Sequence, residues 1–182
     1  EKENTMNVPK LLVMLISAGM MLSGYAGQAC AEDAGVIQGK AIFKGDSEKF
    51  KRTKLDTTKD AKCNKPVGSE KVIVDAGTPP TLRNVLISIK EGLGDKKFPA
   101  PKTPAVLHQS GCQYDPHVLP VVEGQEVEIK NSDDTNHNIH FLPKINEEVN
   151  KTQPKKDMVD KGTLKTEAPF KVKCDVHPWM GM

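Results

Sequence analysis

The sequence predicts an all-β protein built as an antiparallel β-sandwich, and three observations carry that prediction. Short apolar runs alternate with polar residues at a period of two, Gly and Pro punctuate them at close intervals, and no stretch after residue 31 carries an apolar stripe of helical spacing. Many short strands separated by Gly/Pro turns must bury their apolar faces sheet against sheet. At 182 residues the chain holds one domain, or a domain plus extras. A net charge of +2 is too small to suggest a nucleic-acid partner, and with 4% aromatic residues the core must rest on Val, Ile and Leu.

The elements follow in order. "MNVPKLLVMLISAGMMLSGYAGQACA", with Lys10 as charged flank, an apolar run from Leu11 to Leu22 and the closing triplet Ala29-Cys30-Ala31, has the layout of a secretory signal peptide cleaved after Ala31. Met6 is the expected start, behind "EKENT". The apolar run falls short of the roughly 20 residues that span a bilayer, and membrane attachment is expected only through a lipid on Cys30. The product is therefore periplasmic or secreted, with residues 32–182 as its single domain. "GVIQGKAIFKG" (35–45) reads as a half-buried strand, and "DSEKFKRTKLDTTKDAKCNKP" as a long polar loop. "EKVIVDAG" and "RNVLISIKEG" are two further strand candidates, and "DKKFPAPKTPAV" an extended surface connection. Val118, Leu119, Val121 and Val122 form one arm of a hairpin, a Glu-Gly turn closes it, and Val127 and Ile129 alternate along the other. "HNIHFLP" continues as a strand, residues 143–166 are polar and broken, and "APFKVKCDVH" ends the set with Phe170 and Val172 on one face.

Without residues 1–31 the chain keeps three cysteines, Cys63, Cys112 and Cys174. In an oxidising compartment two should pair. Three pairings are open on spacing alone. Because Cys174 lies among other metal-type ligands, a Cys63–Cys112 disulfide is expected.

The candidate site is the ending "KCDVHPWMGM". Cys174, His177 and Met180 lie within seven residues, where a turn after a strand can gather a thiolate, an imidazole and a thioether, a donor set that suits copper. A second imidazole must come from elsewhere, and "NSDDTNHNIHFLP" offers His137 and His140. Three positions apart on a strand they face opposite ways, so at most one can join. His140 and His117 read as structural or surface residues, and His108, in a polar loop, carries no signal. Structural zinc seldom takes methionine, "GLGDKK" lacks the rest of a phosphate-binding loop, and no Ser-His-Asp or paired-carboxylate set is present, so no enzyme activity is expected.

These segments resemble the type 1 copper proteins called cupredoxins, and within them amicyanin and the plastocyanins. The resemblance is carried by "YDPHVLPVVEGQEVEIKN" (114–131), "HNIHF" (137–141) and "CDVHPWM" (174–180), and it covers about residues 110–180. It implies a Greek-key sandwich with a blue-copper site whose ligands are His137, Cys174, His177 and Met180, with Met182 as the alternative axial ligand. It also implies that Asn138 ties the ligand loop to the histidine strand, and that a backbone N–H reaches the cysteine sulfur. One-electron transfer would then pass through an exposed His177 edge, in an apolar patch with Pro178, Trp179 and Leu142. The partner would be a c-type cytochrome or a periplasmic dehydrogenase. A copper carrier or storage protein, and a metal-free binding module, are the other readings. Residues 46–110 exceed the minimal family plan and read as an insertion. Only Gly181 and Met182 follow Met180, so a sandwich lacking its last strand is expected.

Overall fold

The computed structural model describes residues 37–182, and the expected signal peptide with Cys30 lies outside them. Among the described residues nine strands carry the fold: β1 (Val74–Asp75), β2 (Thr81–Leu82), β3 (Ala105–Ser110), β4 (Gln113–Asp115), β5 (Glu126–Asn131), β6 (His137–Leu142), β7 (Asn150–Gln153), β8 (Val159–Thr163) and β9 (Lys171–Lys173). They form one sheet in the order β4-β3-β5-β8, a second in the order β7-β6-β9, and the small ribbon β1-β2. Among the described residues there is no α-helix, only one short 3-10 turn at Ser47–Phe50.

The alternation expected from the sequence is what buries the core. In β3 the residues Ala105, Leu107 and Gln109 point inward, and in β5 Val127, Ile129 and Asn131 do. Ile139 and Phe141 of β6 and Val172 of β9 answer them from the facing sheet, in one apolar cluster with Leu107, Val127 and Ile129. The result is the β-sandwich that the sequence predicts, with one departure from its antiparallel plan. β3 and β5 run parallel, paired from Ala105↔Val127 to Gln109↔Asn131. The chain reaches that arrangement because the β3–β4 hairpin is tight and residues 116–125 return along the edge as a loop.

That hairpin has a strained corner with a visible restraint. Gly111 and Cys112 both have positive φ, 61° and 58°, as a two-residue turn of the primed kind requires. The conformation suits Gly111 but not Cys112. The Asp133 carboxylate accepts from both N–H groups, at 2.8 Å each, and Cys112 is bonded to Cys63. The expected Cys63–Cys112 disulfide is thus present, across a separation of 49 residues. In the chain-entropy model a loop of that size contributes about 4 kcal/mol.

Several expectations need correction. Residues 35–45 contribute only an isolated bridge, Ile42↔Thr81, within the described part. "RNVLISIKEG" forms no strand, and Val85, Leu86, Ile87 and Ile89 are exposed, because no neighbouring strand pairs with it. Residues 118–122 form a loop rather than a hairpin arm. Conversely, the polar stretch 143–166 holds β7 and β8, both edge strands whose mostly exposed side chains lack an alternating apolar signal, with Gln153 the buried exception. At the end of the stretch 46–110, β3 is an inner strand of the first sheet. Gly181 and Met182 turn back beside β9: Gly181 bridges Lys173, and Met182 exchanges both backbone hydrogen bonds with Val172.

The loop before β7 is held by Glu167. Burial would raise its pKa, but hydrogen bonds from the Asn146 side chain and the Lys144, Asn146 and Ile145 N–H groups outweigh it, bringing the pKa to about 2. A depressed carboxylate contributes stability that is fully present above its unfolded value and is lost as pH falls through the folded one. Glu167→Gln should therefore destabilise the protein at neutral pH and flatten the acid limb of its stability between pH 4.5 and about 2, as thermal melts across pH would measure. Leu107→Ala or Ile139→Ala, each removing a fully buried side chain, should cost about 2–5 kcal/mol in denaturant unfolding.

Candidate metal centre

His137 opens β6 and Cys174 follows β9 directly. The two strands are paired, with His140 opposite Lys173, so the sheet itself brings the histidine and the cysteine to the same end. After Cys174 the chain makes a tight turn in which Met180 N–H donates to the His177 carbonyl and Cys174 N–H to the Met180 carbonyl. The turn folds His177 back over the sulfur. One nitrogen from each histidine and the Cys174 Sγ lie within 4.8 Å of one another. His137 is 0% exposed, His177 1%, Cys174 2% and Met180 2%.

The nitrogens that converge are the two Nδ1 atoms, 3.0 Å apart, with Cys174 Sγ 3.8 Å from that of His177. Each outer nitrogen meets a carboxylate: His137 Nε2 lies 2.9 Å from Asp133 Oδ2, and His177 Nε2 2.9 Å from Asp60 Oδ2. A carboxylate only accepts, so these partners assign the proton of each neutral ring to Nε2. Both Nδ1 lone pairs then face one point beside a thiol. Two acceptors 3.0 Å apart repel unless a cation lies between them. Two imidazoles and a thiolate arranged this way fit a soft or borderline metal ion.

The surroundings agree with that charge pattern. Burial holds the His137 pKa below the usual imidazole value, even against the Asp133 carboxylate, so its ring stays neutral. Asp60 is held below the ordinary carboxylate range by hydrogen bonds from Thr135, from the Lys62 N–H and from His177. At Asp133 burial acts upward, but the Cys112 N–H, His137 and the Gly111 N–H outweigh it. Cys174 Sγ accepts from two backbone N–H groups, those of Asn138 (3.4 Å) and His177 (3.3 Å). On the other face of β6, Asn138 Oδ1 accepts from the Asp175 N–H, while its Nδ2 donates to Asn150 and to the Lys151 carbonyl. Asn138 thereby joins strand and ligand loop. Tyr114 closes the floor, its hydroxyl donating to the Asn138 carbonyl at 2.6 Å, and burial raises its pKa far above the ordinary phenol value.

His140 takes no part. It points to the opposite side, between Asp175 and Glu148, and these carboxylates raise its pKa, Glu148 most. His108 and His117 also lie elsewhere, beside Ser132 and Glu70 respectively. Met182 lines a separate groove with Leu119, Phe141 and Phe170. The expected exposed His177 edge is not there. The Thr57–Cys63 segment covers it, with Cys63 Sγ 3.8 Å from His177 Nε2. Nor does the expected apolar patch form, because Leu142 sits at the far end of β6. Trp179 is half-buried, its ring centroid 4.9 Å from that of His177 and its Nε1–H donating to the Cys112 carbonyl.

Sequence reasoning missed Asp60 and Asp133. A signal existed in the expected disulfide. Asp60 stands three residues before Cys63, so pairing Cys63 with Cys112 carries a carboxylate towards the β3–β4 corner.

No protein-family model matches the sequence, and no curated protein does. Among solved structures, the copper-containing nitrite reductase NirK from Thermus scotoductus SA-01 is similar at 19% identity and a TM-score of 0.41, over 50% of this chain and 23% of that one. A purple cupredoxin from Nitrosopumilus maritimus gives 20% identity and a TM-score of 0.36, over 42% of this chain and 93% of that one. A single-site mutant of amicyanin in its Cu(I) state gives 24% and 0.38, over 43% and 76%. This chain thus spans less than a quarter of the nitrite reductase. These likenesses assign no role to the chain, and its own donor set carries the functional reading.

In the metal-free protein, ring-nitrogen NMR should find His140 titrating above the ordinary imidazole range and His137 below it, from the opposite directions of their shifts. A reversed order would contradict the environments described for the two rings.

Proposed function

We propose that this chain is an exported type 1 copper protein that carries single electrons between redox partners, with His137, Cys174, His177 and Met180 as its ligands. The observation that supports it best is the pair of buried Nδ1 atoms facing each other beside the Cys174 sulfur, each ring anchored by a carboxylate at its outer nitrogen. Copper bound there would supply one-electron exchange between Cu(I) and Cu(II).

The rest of the work falls to the chain. His137 and His177 would present neutral nitrogens in fixed orientations, and their carboxylate partners keep those orientations whichever charge the centre carries. The two N–H groups on Cys174 withdraw density from the sulfur, which favours the reduced state. Met180, buried in the same turn, would supply the thioether donor, while Met182 lines a groove of its own. Burial of all four residues excludes water, so little solvent must reorganise as the charge changes. With His177 covered, the half-buried Trp179 against its ring would be the side-chain route to the surface. A c-type cytochrome or a periplasmic dehydrogenase would dock on that side. A copper carrier would need its ligand edge open for exchange, and here it is closed.

One equivalent of Cu(II) should produce an intense visible thiolate-to-copper band that ascorbate bleaches and ferricyanide restores. Cys174→Ser should abolish the band. Met180→Leu should shift the reduction potential, while Met182→Leu should leave it near the wild-type value. A protein that stays colourless, or keeps the band without Cys174, would defeat the reading.

A further inference from the structure

An imidazole on a turn is fixed only if something holds its far nitrogen. Without a partner at Nε2, the ring can rotate about its Cβ–Cγ bond and exchange Nδ1 for a carbon at the centre. For His177 the partner is Asp60, from 117 residues upstream. We propose that Asp60 is a positioning residue for His177, and that the disulfide-stapled segment 55–64 serves as the closing wall of the metal centre. The fixation concerns the ring itself, and only its use for copper rests on the type 1 reading above.

Asp60 is held as a preformed acceptor. Its Oδ2 receives the Thr135 hydroxyl at 2.7 Å as well as His177, and its Oδ1 receives the Lys62 N–H at 2.8 Å. Its backbone carbonyl accepts from the Cys63 N–H at 3.0 Å, which closes a turn on the disulfide cysteine. Thr135 stands two residues before His137, so one carboxylate touches both histidine segments. The disulfide completes the circuit. Cys63 lies against His177 and is bonded to Cys112, whose N–H donates to Asp133, whose carboxylate meets His137. From one outer ring nitrogen to the other, every link is a covalent bond, a hydrogen bond or a van der Waals contact.

This circuit does what the β-sandwich alone does not. β6 and β9 place His137 and Cys174, but nothing in either sheet reaches the outer edge of His177. That edge is covered by Asp60, Cys63 and Trp179, which leaves the ring 1% exposed. A ring fixed in one tautomer and walled from water presents the same donor atom in every molecule.

The test is imidazole ¹⁵N NMR of the metal-free full chain. In the wild type His177 should be a single species protonated on Nε2. Asp60→Ala should give a mixture of tautomers, whereas Asp60→Asn, whose amide oxygen still accepts, should restore the single one. After copper loading, release to an excess of chelator should be about 10- to 100-fold faster in Asp60→Ala than in the wild type, and close to wild type in Asp60→Asn. An Asp60→Ala spectrum with unchanged His177 shifts would overturn the proposal. If that variant does not fold, the wild type decides alone: His177 protonated on Nδ1, or present as two tautomers, refutes it. A wild type with the fixed Nε2–H ring that takes up no copper keeps the positioning role and removes the type 1 reading.

Discussion

Everything at this site depends on two lone pairs directed at one another. Once Asp60 and Asp133 accept hydrogen bonds from the Nε2–H groups, the rings of His137 and His177 have only acceptors to offer at their 3.0 Å contact. That arrangement is unfavourable in a buried, metal-free protein and becomes favourable when a cation enters. Forces from the surrounding fold keep it in place: the β6–β9 pairing, the turn after Cys174, and the disulfide. The fold thus holds donors in a geometry that they would not adopt by themselves.

The two sheets divide this task unequally. The second sheet supplies the donors, through His137 at the start of β6 and Cys174 just past β9. The end of β5 in the first sheet, with the loop that follows it, supplies the restraint on His137. Asn131, at the end of β5 and fully buried, accepts the Asp133 N–H and donates to the Thr135 and Gln153 carbonyls, so it shapes the turn that aims Asp133 at His137. The same Asp133 carboxylate holds the β3–β4 corner through Gly111 and Cys112. A single side chain therefore couples hairpin geometry to ring orientation, and removing it would disturb both.

Closure of the His177 edge changes how a redox role would operate. An exposed imidazole gives a partner direct access to a ligand. Here the outer nitrogen is occupied by a carboxylate and flanked by a disulfide, and the nearest conjugated group that reaches towards solvent is Trp179.

The sequence by itself determined the sandwich class, the strands β5, β6 and β9, the disulfide and the cluster Cys174, His177 and Met180. All of these leave local signals: a period of two, a cysteine count, or ligands a few residues apart in one turn. Tertiary structure alone decided the rest. The parallel pairing of β3 with β5 depends on which edges meet, and β7 and β8 are edge strands whose exposed polar residues carry no alternation. The exposed run Val85–Ile89 shows the converse, since strand-like composition does not make a strand without a partner. Asp60 and Asp133 carry no local mark as site residues, because a carboxylate in a polar loop looks like any solvated charge; the expected disulfide was the one non-local pointer, to Asp60. Only when the disulfide carries residues 55–64 across to the β3–β4 corner does Asp60 come within 2.9 Å of a histidine 117 positions away, and no local pattern encodes a contact over that distance.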